Sequence, residues 1–525
     1  MKKINCAIVF IFATTFLLSA QDGINSITKE DLQKHLKVIA SDDFQGRRTG
    51  ETGIELAAKY LENEAAKIGL KPLTEDGSFR QTFDLYETRL DDDNTKISII
   101  KDEIKKDYHS FAFLSMTSAD TVVRGEVAFV GYGYRNEESG YDDFAGIDIK
   151  DKIVLYMSGI PNTETPEGAK SLGLDQEEEG SKLQYILESG ARAVLLVASP
   201  ERQKQMEMDI EDFKSITSGQ MNFTDELPSG LPIQFAFISN EIAEKIIAGS
   251  SYKKLKEIQN KIETDKKPVS FIIKDLTLNI NLSIIHRKFQ TCNIIGAVEG
   301  SDPKLKNEYL VYGAHYDHDG LDSEGRVMNG ADDNGSGTVG LLELAEAFAT
   351  SIEKPKRSIL FIWFTGEERG LLGSNYYVEH PVIPLENTIA CLNLDMIGRV
   401  RLDSDTIPSM GWGDITVSDG SKVLVITGEL SKKLVKINEQ YCAQQNLTPD
   451  YSDSDFIYAS DQYHFYLNNI PVLFYSTGLH SDYHTSRDDE DRINYDVMQR
   501  ICKTAFATGY NVADRRGQLK VKKKN

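Results

Sequence analysis

From Thr291 onward, short apolar runs alternate with helix-patterned segments, and this rhythm restricts the possible folds more than any other feature. "EYLVYGAH" precedes a helical stretch through "GTVGLLELAEAFAT", and "SILFIWFTG" precedes "LLGSNYYVEH". "IACLNLDMIG" precedes a helix from Glu429 to about Gln445, and "IPVLFYSTG" precedes a closing helix from Tyr495. Strands apolar on consecutive residues are buried on both faces, and helical crossovers make them run parallel. The fold expected is therefore α/β, a mostly parallel mixed sheet with helices on both faces. Ligands of such sheets lie beyond the carboxyl ends of the strands.

Polar residues gather at those ends. The first strand runs into "HYDHDG", with His315, Asp317 and His318; the loop after it holds Asp332 and Asp333 in "GADDNGSG". Glu367 and Glu368 end the next strand, Asp395 the one after it, and His484 in "SDYHTSRDD" lies beyond the last. Two of the imidazoles with three of the carboxylates, and no cysteine, suit borderline or hard divalent ions. A structural zinc is closed by four ligands, whereas a catalytic one keeps a position open. Five ligands exceed one open site and fit two ions about 3.5–4 Å apart sharing a carboxylate. Residues two apart at a strand end face the same side, so Asp317 is placed to accept the other ring N–H of His315. No such argument covers His318, which is expected at the rim.

These ordered motifs resemble those of the co-catalytic di-zinc aminopeptidases, the family that also contains glutamate carboxypeptidase and the transferrin receptor ectodomain. The resemblance runs from about Cys292 to the last helix. It implies a phosphorylase/hydrolase-like zinc-peptidase fold, a peptide substrate and two Zn2+, with Mn2+ or Co2+ as possible substitutes. His315 and Asp395 become terminal ligands of one metal, Glu368 and His484 of the other, with Asp333 bridging and a cis bond at Asp333-Asn334. Glu367 becomes the general base and Tyr483 the donor to the tetrahedral oxyanion; Asp317, from its spacing to His315, is counted with them as a catalytic residue. The activity implied is that of a secreted metallo-exopeptidase, in first place an aminopeptidase. A carboxypeptidase or dipeptidase acting on acidic peptides is the alternative, with Arg399 and Arg487 available to grip carboxylates. A glutaminyl-cyclase-like activity is disfavoured, since that branch works with one zinc. A non-catalytic binding ectodomain would show lost ligands, and every matching position here is filled. Asp461, Phe465 and Tyr466 are candidates for a side-chain pocket, with the helix core as the other reading of the two aromatic residues.

The rest of the chain adds boundaries. Its 525 residues imply more than one domain. A net charge of -22 argues against nucleic acid, whose phosphates require clustered Lys and Arg. Residues 1–20 carry Lys2 and Lys3, an apolar stretch and then small residues, a signal-peptide pattern with cleavage near Ala20 and export to periplasm or medium. No stable membrane anchor is expected. Residues 21–120 hold helices capped at Thr28/Asp31 and Thr52/Glu55, packing on the peptidase domain. Residues 121–275 turn strand-rich, resembling an inserted protease-associated (PA) domain; 285–515 form the peptidase domain and 516–525 a basic tail. The acidic run in 162–182 reads as a solvated loop. Export permits disulfides among Cys292, Cys391, Cys442 and Cys502, in a pairing the sequence leaves open, as it does the oligomeric state.

Overall fold

A computed structural model describes residues 21–521 apart from 92, 102–103, 109–110, 114–119, 162–175, 201, 204–218, 226–233, 323, 404, 406–416 and 453. The signal-like segment, most of the acidic loop and the last residues of the basic tail lie outside the described residues. The chain divides into two units, one of residues 21–84 and 290–521, the other Leu85–Phe289.

The first unit opens with helices α1 (Lys29–Ile39) and α2 (Thr52–Ile68). Thr28 caps α1 by accepting the Asp31 N–H at 3.1 Å, the arrangement its spacing predicts. The expected cap of α2 is absent: Glu51 holds the N-cap position without a side-chain bond, and Thr52 is already helical. Gly69 closes α2 with φ of 82°, a left-handed turn favouring glycine. Strand β1 (Arg80–Leu90) then leads into the second unit.

That unit holds strands β2 (Lys96–Lys101), β3 (Ile104–Tyr108), β4 (Phe111–Phe113), β5 (Thr121–Val130), β6 (Ile153–Met157), β7 (Ala193–Val197), β8 (Gln234–Ile238) and β9 (Ser270–Leu282). They form one sheet in the order β3-β2-β9-β5-β6-β7-β8-β4. Residues 96–113, grouped by sequence with the N-terminal helices, are thus strands of this sheet, since β2 pairs with β9. Its centre, β5-β6-β7-β8, is parallel. Helix α3 (Gln176–Glu188) covers one face through Ile186, and α4 (Asn240–Ile247) and α5 (Leu255–Asp265) cover the other. The last two helices are hidden in the sequence by the strand-rich texture around them.

Strand β10 (Ile284–Val298) returns the chain to the first unit. There follow β11 (Tyr309–His315), α6 (Gly337–Thr350), β12 (Ser358–Phe364), α7 (Leu372–Glu379), β13 (Thr388–Leu394), β14 (Lys422–Ile426), α8 (Lys432–Gln444), β15 (Thr448–Asp450), α9 (Gln462–Leu467), β16 (Val472–Ser476) and α10 (Tyr495–Asp514). The sheet runs β1-β10-β12-β11-β13-β16-β14-β15, with a short further strand, Gln220–Asn222, paired to the far side of β1. Its centre, β12-β11-β13-β16, is parallel, while β10 and β14 flank it antiparallel. This is the mostly parallel mixed sheet that the apolar runs imply.

Alternation along each strand builds a core on each face. In β12, Ile359, Phe361 and Trp363 enter the cluster containing Leu36, Leu61, Phe348 and Phe506 of α1, α2, α6 and α10. Leu360, Ile362 and Phe364 enter the opposite cluster with Tyr377 of α7 and Phe465 of α9. Each such side chain, fully buried, contributes about 1.5–3 kcal/mol. Packing on both faces fixes the strand ends rigidly. Cys292, Cys391, Cys442 and Cys502 are buried free thiols within these layers.

Candidate active site

The parallel strands end together, and the residues at their ends meet. His315 is the last residue of β11, while Glu367 and Glu368 follow β12 across the Gly366 turn. Asp395 follows β13, and His484 lies in the loop after β16. The loop between β11 and α6 brings Asp333, whose bond to Asn334 is cis. Gly337 lets α6 begin directly against that loop, because a Cβ there would sit 2.2 Å from Asn334 Oδ1 and 2.3 Å from Leu394 O.

The carboxylate of Asp333 lies between two groups of ligand atoms. Its Oδ1 is 3.4 Å from His315 Nε2, which is 3.3 Å from Asp395 Oδ1. Its Oδ2 is 3.0 Å from His484 Nε2, which is 3.2 Å from Glu368 Oε2. Asp332 points elsewhere: it accepts the Gly398 N–H at 2.6 Å and faces His480 at 3.4 Å. Asp488 holds the Asp333 end of the loop, accepting the N–H groups of Asp332 and Asp333 at 3.0 Å each.

Two of the expected second roles differ in detail. Asp317 is fully buried, but His315 Nδ1 lies nearer its backbone oxygen, 3.3 Å, than its carboxylate, 3.7 Å. The carboxylate instead accepts the Thr49 hydroxyl at 3.0 Å and the Glu367 N–H at 3.2 Å, holding the loop after β12. His318, expected at the rim, is completely buried and donates from Nδ1 to Glu368 Oε1 at 2.8 Å. The cause is Arg47, a buried guanidinium from the N-terminal segment that donates to Tyr316 O, Asn329 O and Gly330 O and folds the two loops over one another. Neither Arg47 nor Asp319, which lies 3.3 Å from His484 Nδ1, stands out in the sequence. Most of Arg47's partners are distant in the chain, Ile39 O being the near one, and Asp319 only extends a polar run.

Burial and neighbours divide the adjacent glutamates. Burial raises Glu367 well above the usual carboxyl range, with Glu368 and Asp395 adding to the rise and His315 opposing it. Burial acts on Glu368 as well, but His484 and His318 outweigh it and hold that carboxyl well below its usual value. Asp333 is pushed up to about 6 by burial and by Glu368, with His484 acting against them. Carboxyls driven apart in this way take different roles, one to carry a proton and one to stay ionised. Tyr483 stacks on His484 with ring centroids 3.8 Å apart and lines the cavity over the cluster.

The donor set fits divalent metal. Nε2 of His315, Nε2 of His484 and Oδ1 of Asp395 are buried without a hydrogen-bond partner among the described residues, although buried polar atoms normally have one. The separations of 3.0–3.4 Å within each half match the roughly 3.3 Å between neighbouring ligands of a tetrahedral zinc. His315, Asp333 and Glu368 form one group able to hold an ion, and His315, Glu367 and Asp395 form another.

A cavity beside the cluster is lined by Met396, Leu424, Ile426, Phe456, Phe474 and Leu479. Phe465, one of the expected pocket residues, is instead fully buried in the core under the sheet, and Tyr466 packs against the same core. Asp461 is also fully buried, its carboxyl pushed up to about 7 by burial despite the opposing His315.

Sheet, crossovers and ligand cluster define an α/β protein with a carboxylate and imidazole cluster able to hold metal at the carboxyl edge of its strands. Residues 293–509 match the profile of Peptidase family M28. An "Aminopeptidase" of Pseudomonas aeruginosa (strain UCBPP-PA14) is 35% identical over 127 residues, covering 24% of this chain and 21% of its own. A "Leucine aminopeptidase 2" of Trichophyton equinum is 29% identical over 205 residues, covering 39% and 37%. The chain therefore spans about a fifth to two fifths of the length of these relatives. The solved "Aminopeptidase from Aneurinibacillus sp. strain AM-1" superposes with a TM-score of 0.57 at 17% identity, over 96% of this chain and 98% of that one. A zinc aminopeptidase from Bacillus subtilis gives 0.54 at 18% identity, over 94% and 97%. These two likenesses show the fold.

Proposed function

We propose that the protein is an exported zinc-dependent exopeptidase, an aminopeptidase that releases N-terminal residues with apolar side chains. The observation that carries this reading is Asp333, whose two oxygens face separate imidazole-carboxylate pairs. His315 and Asp395 would hold one zinc, His484 and Glu368 a second, and Asp333 both. When bound, the ions would acidify a shared water and polarise the scissile carbonyl.

The chain's own groups do the rest. Glu367, raised by burial and lying 3.9 Å from His315 Nε2, takes the proton of the attacking water and returns it to the leaving amine. Asp317 fixes the Glu367 backbone for that transfer. Tyr483, over the cluster, donates its hydroxyl to the developing oxyanion. The free amine of the substrate is held by the surplus of carboxylate around Glu367 and Asp395, and its first side chain fills the apolar cavity.

One observation weighs against an acidic-peptide carboxypeptidase. Among the described residues no Lys or Arg lines the cavity, and both candidate arginines are engaged elsewhere: Arg399 donates to Asp482 at 2.9 Å and is fully buried, and Arg487 donates to the same carboxylate at 2.9 Å. The second unit, Leu85–Phe289, is read as the protease-associated insertion. Among the described residues no helix is long and apolar enough to cross a membrane.

The test combines metal analysis with a panel of Leu-, Met-, Ala- and Lys-anilides and of free and N-acetylated peptides. Expected are two zinc equivalents, cleavage of free N-termini only, preference for Leu and Met, loss on chelation and recovery with zinc. Glu367→Gln should lower kcat by about 10²–10⁴ while keeping both zinc equivalents. Cleavage of N-acetylated acidic dipeptides would overturn the aminopeptidase reading.

A further inference from the structure

The five residues from His315 to Asp319 reach more of the cluster than a single ligand requires. His315 supplies its own imidazole. His318 turns inward and donates from Nδ1 to Glu368 Oε1 at 2.8 Å, leaving Oε2 of the same carboxylate toward His484. That separation is a hydrogen-bond length, shorter than the roughly 3.3 Å edge between two atoms bound to one zinc. His318 therefore acts on Glu368 by holding it, and its ring is completely buried. Asp319 performs the matching task on the other residue. Its Oδ2 lies 3.3 Å from His484 Nδ1, the ring nitrogen away from the cluster. Its Oδ1 accepts from Arg369 Nη2 at 2.9 Å, in the loop that carries Glu367 and Glu368. Asp319 is 6% exposed although His484 is one-third exposed, so the fixed partner orients the freer one.

We infer that His318 and Asp319 are positioning residues for one metal position only, the one formed by Glu368 and His484. His318 selects which oxygen of Glu368 faces inward, and Asp319 fixes the tautomer of His484 that presents Nε2. Among the described residues neither side chain is paired with His315 or Asp395, and His318 approaches the shared Asp333 only at Oδ2, 3.7 Å away, the oxygen that faces His484. A carboxylate on the far nitrogen of a ligating imidazole sets ring orientation and raises its basicity, and its loss typically weakens metal binding 10–100-fold. The end of β11 thus supplies His315 to one position, and the residues just after it, His318 and Asp319, support the other. This inference rests on the two-zinc reading above.

The test is zinc affinity, measured on the full chain by competition with a chromophoric chelator, for wild type, Asp319→Asn, His318→Leu and His318→Asn. Asp319→Asn and His318→Leu are expected to weaken one zinc equivalent about 10–100-fold and leave the other unchanged. His318→Asn, whose amide N–H can replace the Nδ1 donor, should recover most of the loss. The thermal midpoint of each metal-free variant, measured in parallel, should stay near that of the metal-free wild type. Equal weakening of both equivalents, or two equivalents bound as in wild type, would overturn the inference while leaving the two-zinc reading intact. A wild-type chain that binds fewer than two equivalents would instead overturn the two-zinc reading, and the inference with it.

Discussion

Glu367 and Glu368 are covalent neighbours, yet one carboxyl is driven up and the other down. The difference comes from what each touches: Glu368 accepts from His318 and faces His484, whereas Glu367 is buried beside other carboxylates. At the same scale, Tyr483→Phe should lower kcat by about 10²–10³ and change KM little, since the hydroxyl is assigned to a charge present only in the transition state. Steady-state kinetics on a Leu-anilide would decide this, and an unchanged kcat would remove Tyr483 from the mechanism. The proposed ligands were legible because they stand at the ends of apolar runs or in the loops beyond them, where a parallel sheet gathers what its loops carry. His318, Asp319 and Arg47 were not, because their partners are distant in the chain: His318 meets Glu368 and Arg47 meets Asn329 only after folding.

At the scale of elements, the contact of α1 with α6 contains a carboxyl whose protonation matters. Glu343 of α6 is 2% exposed; Oε2 accepts weakly from Thr28 N at 3.4 Å and Oε1 has no partner among the described residues. Burial, with Asp31 adding to it, pushes this carboxyl up to about 8. The folded state therefore binds the proton more tightly than the unfolded state. The contribution of this group is fully present below about pH 4.3 and is lost as pH rises through about 8. Glu343→Gln should remove that part of the slope and be more stable than wild type at pH 8.5, by on the order of 1–4 kcal/mol, as read by urea melts of the metal-free chain at pH 5 and 8.5. Alternation made most strands and helices readable. Strand β14 escaped because it lies antiparallel beside β16 and has no crossover rhythm of its own, and α4 and α5 escaped because strands surround them.

For the whole molecule, the decisive feature is the way the second unit is spliced into the first. The chain leaves through β1 and returns through β10, which are neighbours in the sheet, with Asp84 bonded to Gln290 and Glu87 to Arg287. The partners run in opposite directions, as in the two arms of a hairpin. This joint has a consequence for synthesis. A ribosome delivers α1 and α2 first, but their core partners, Leu310, Phe348 and Phe506 among them, emerge only after the entire insertion. The insertion is continuous in sequence and finishes its own core before the unit that began earlier. Brief protease treatment of chains stalled after Phe289 should leave 85–289 protected and 21–84 digested, whereas the complete chain should protect both. The first helices therefore wait, tethered and unpaired, through the making of another unit, and dependence on a holding chaperone should concentrate in that interval.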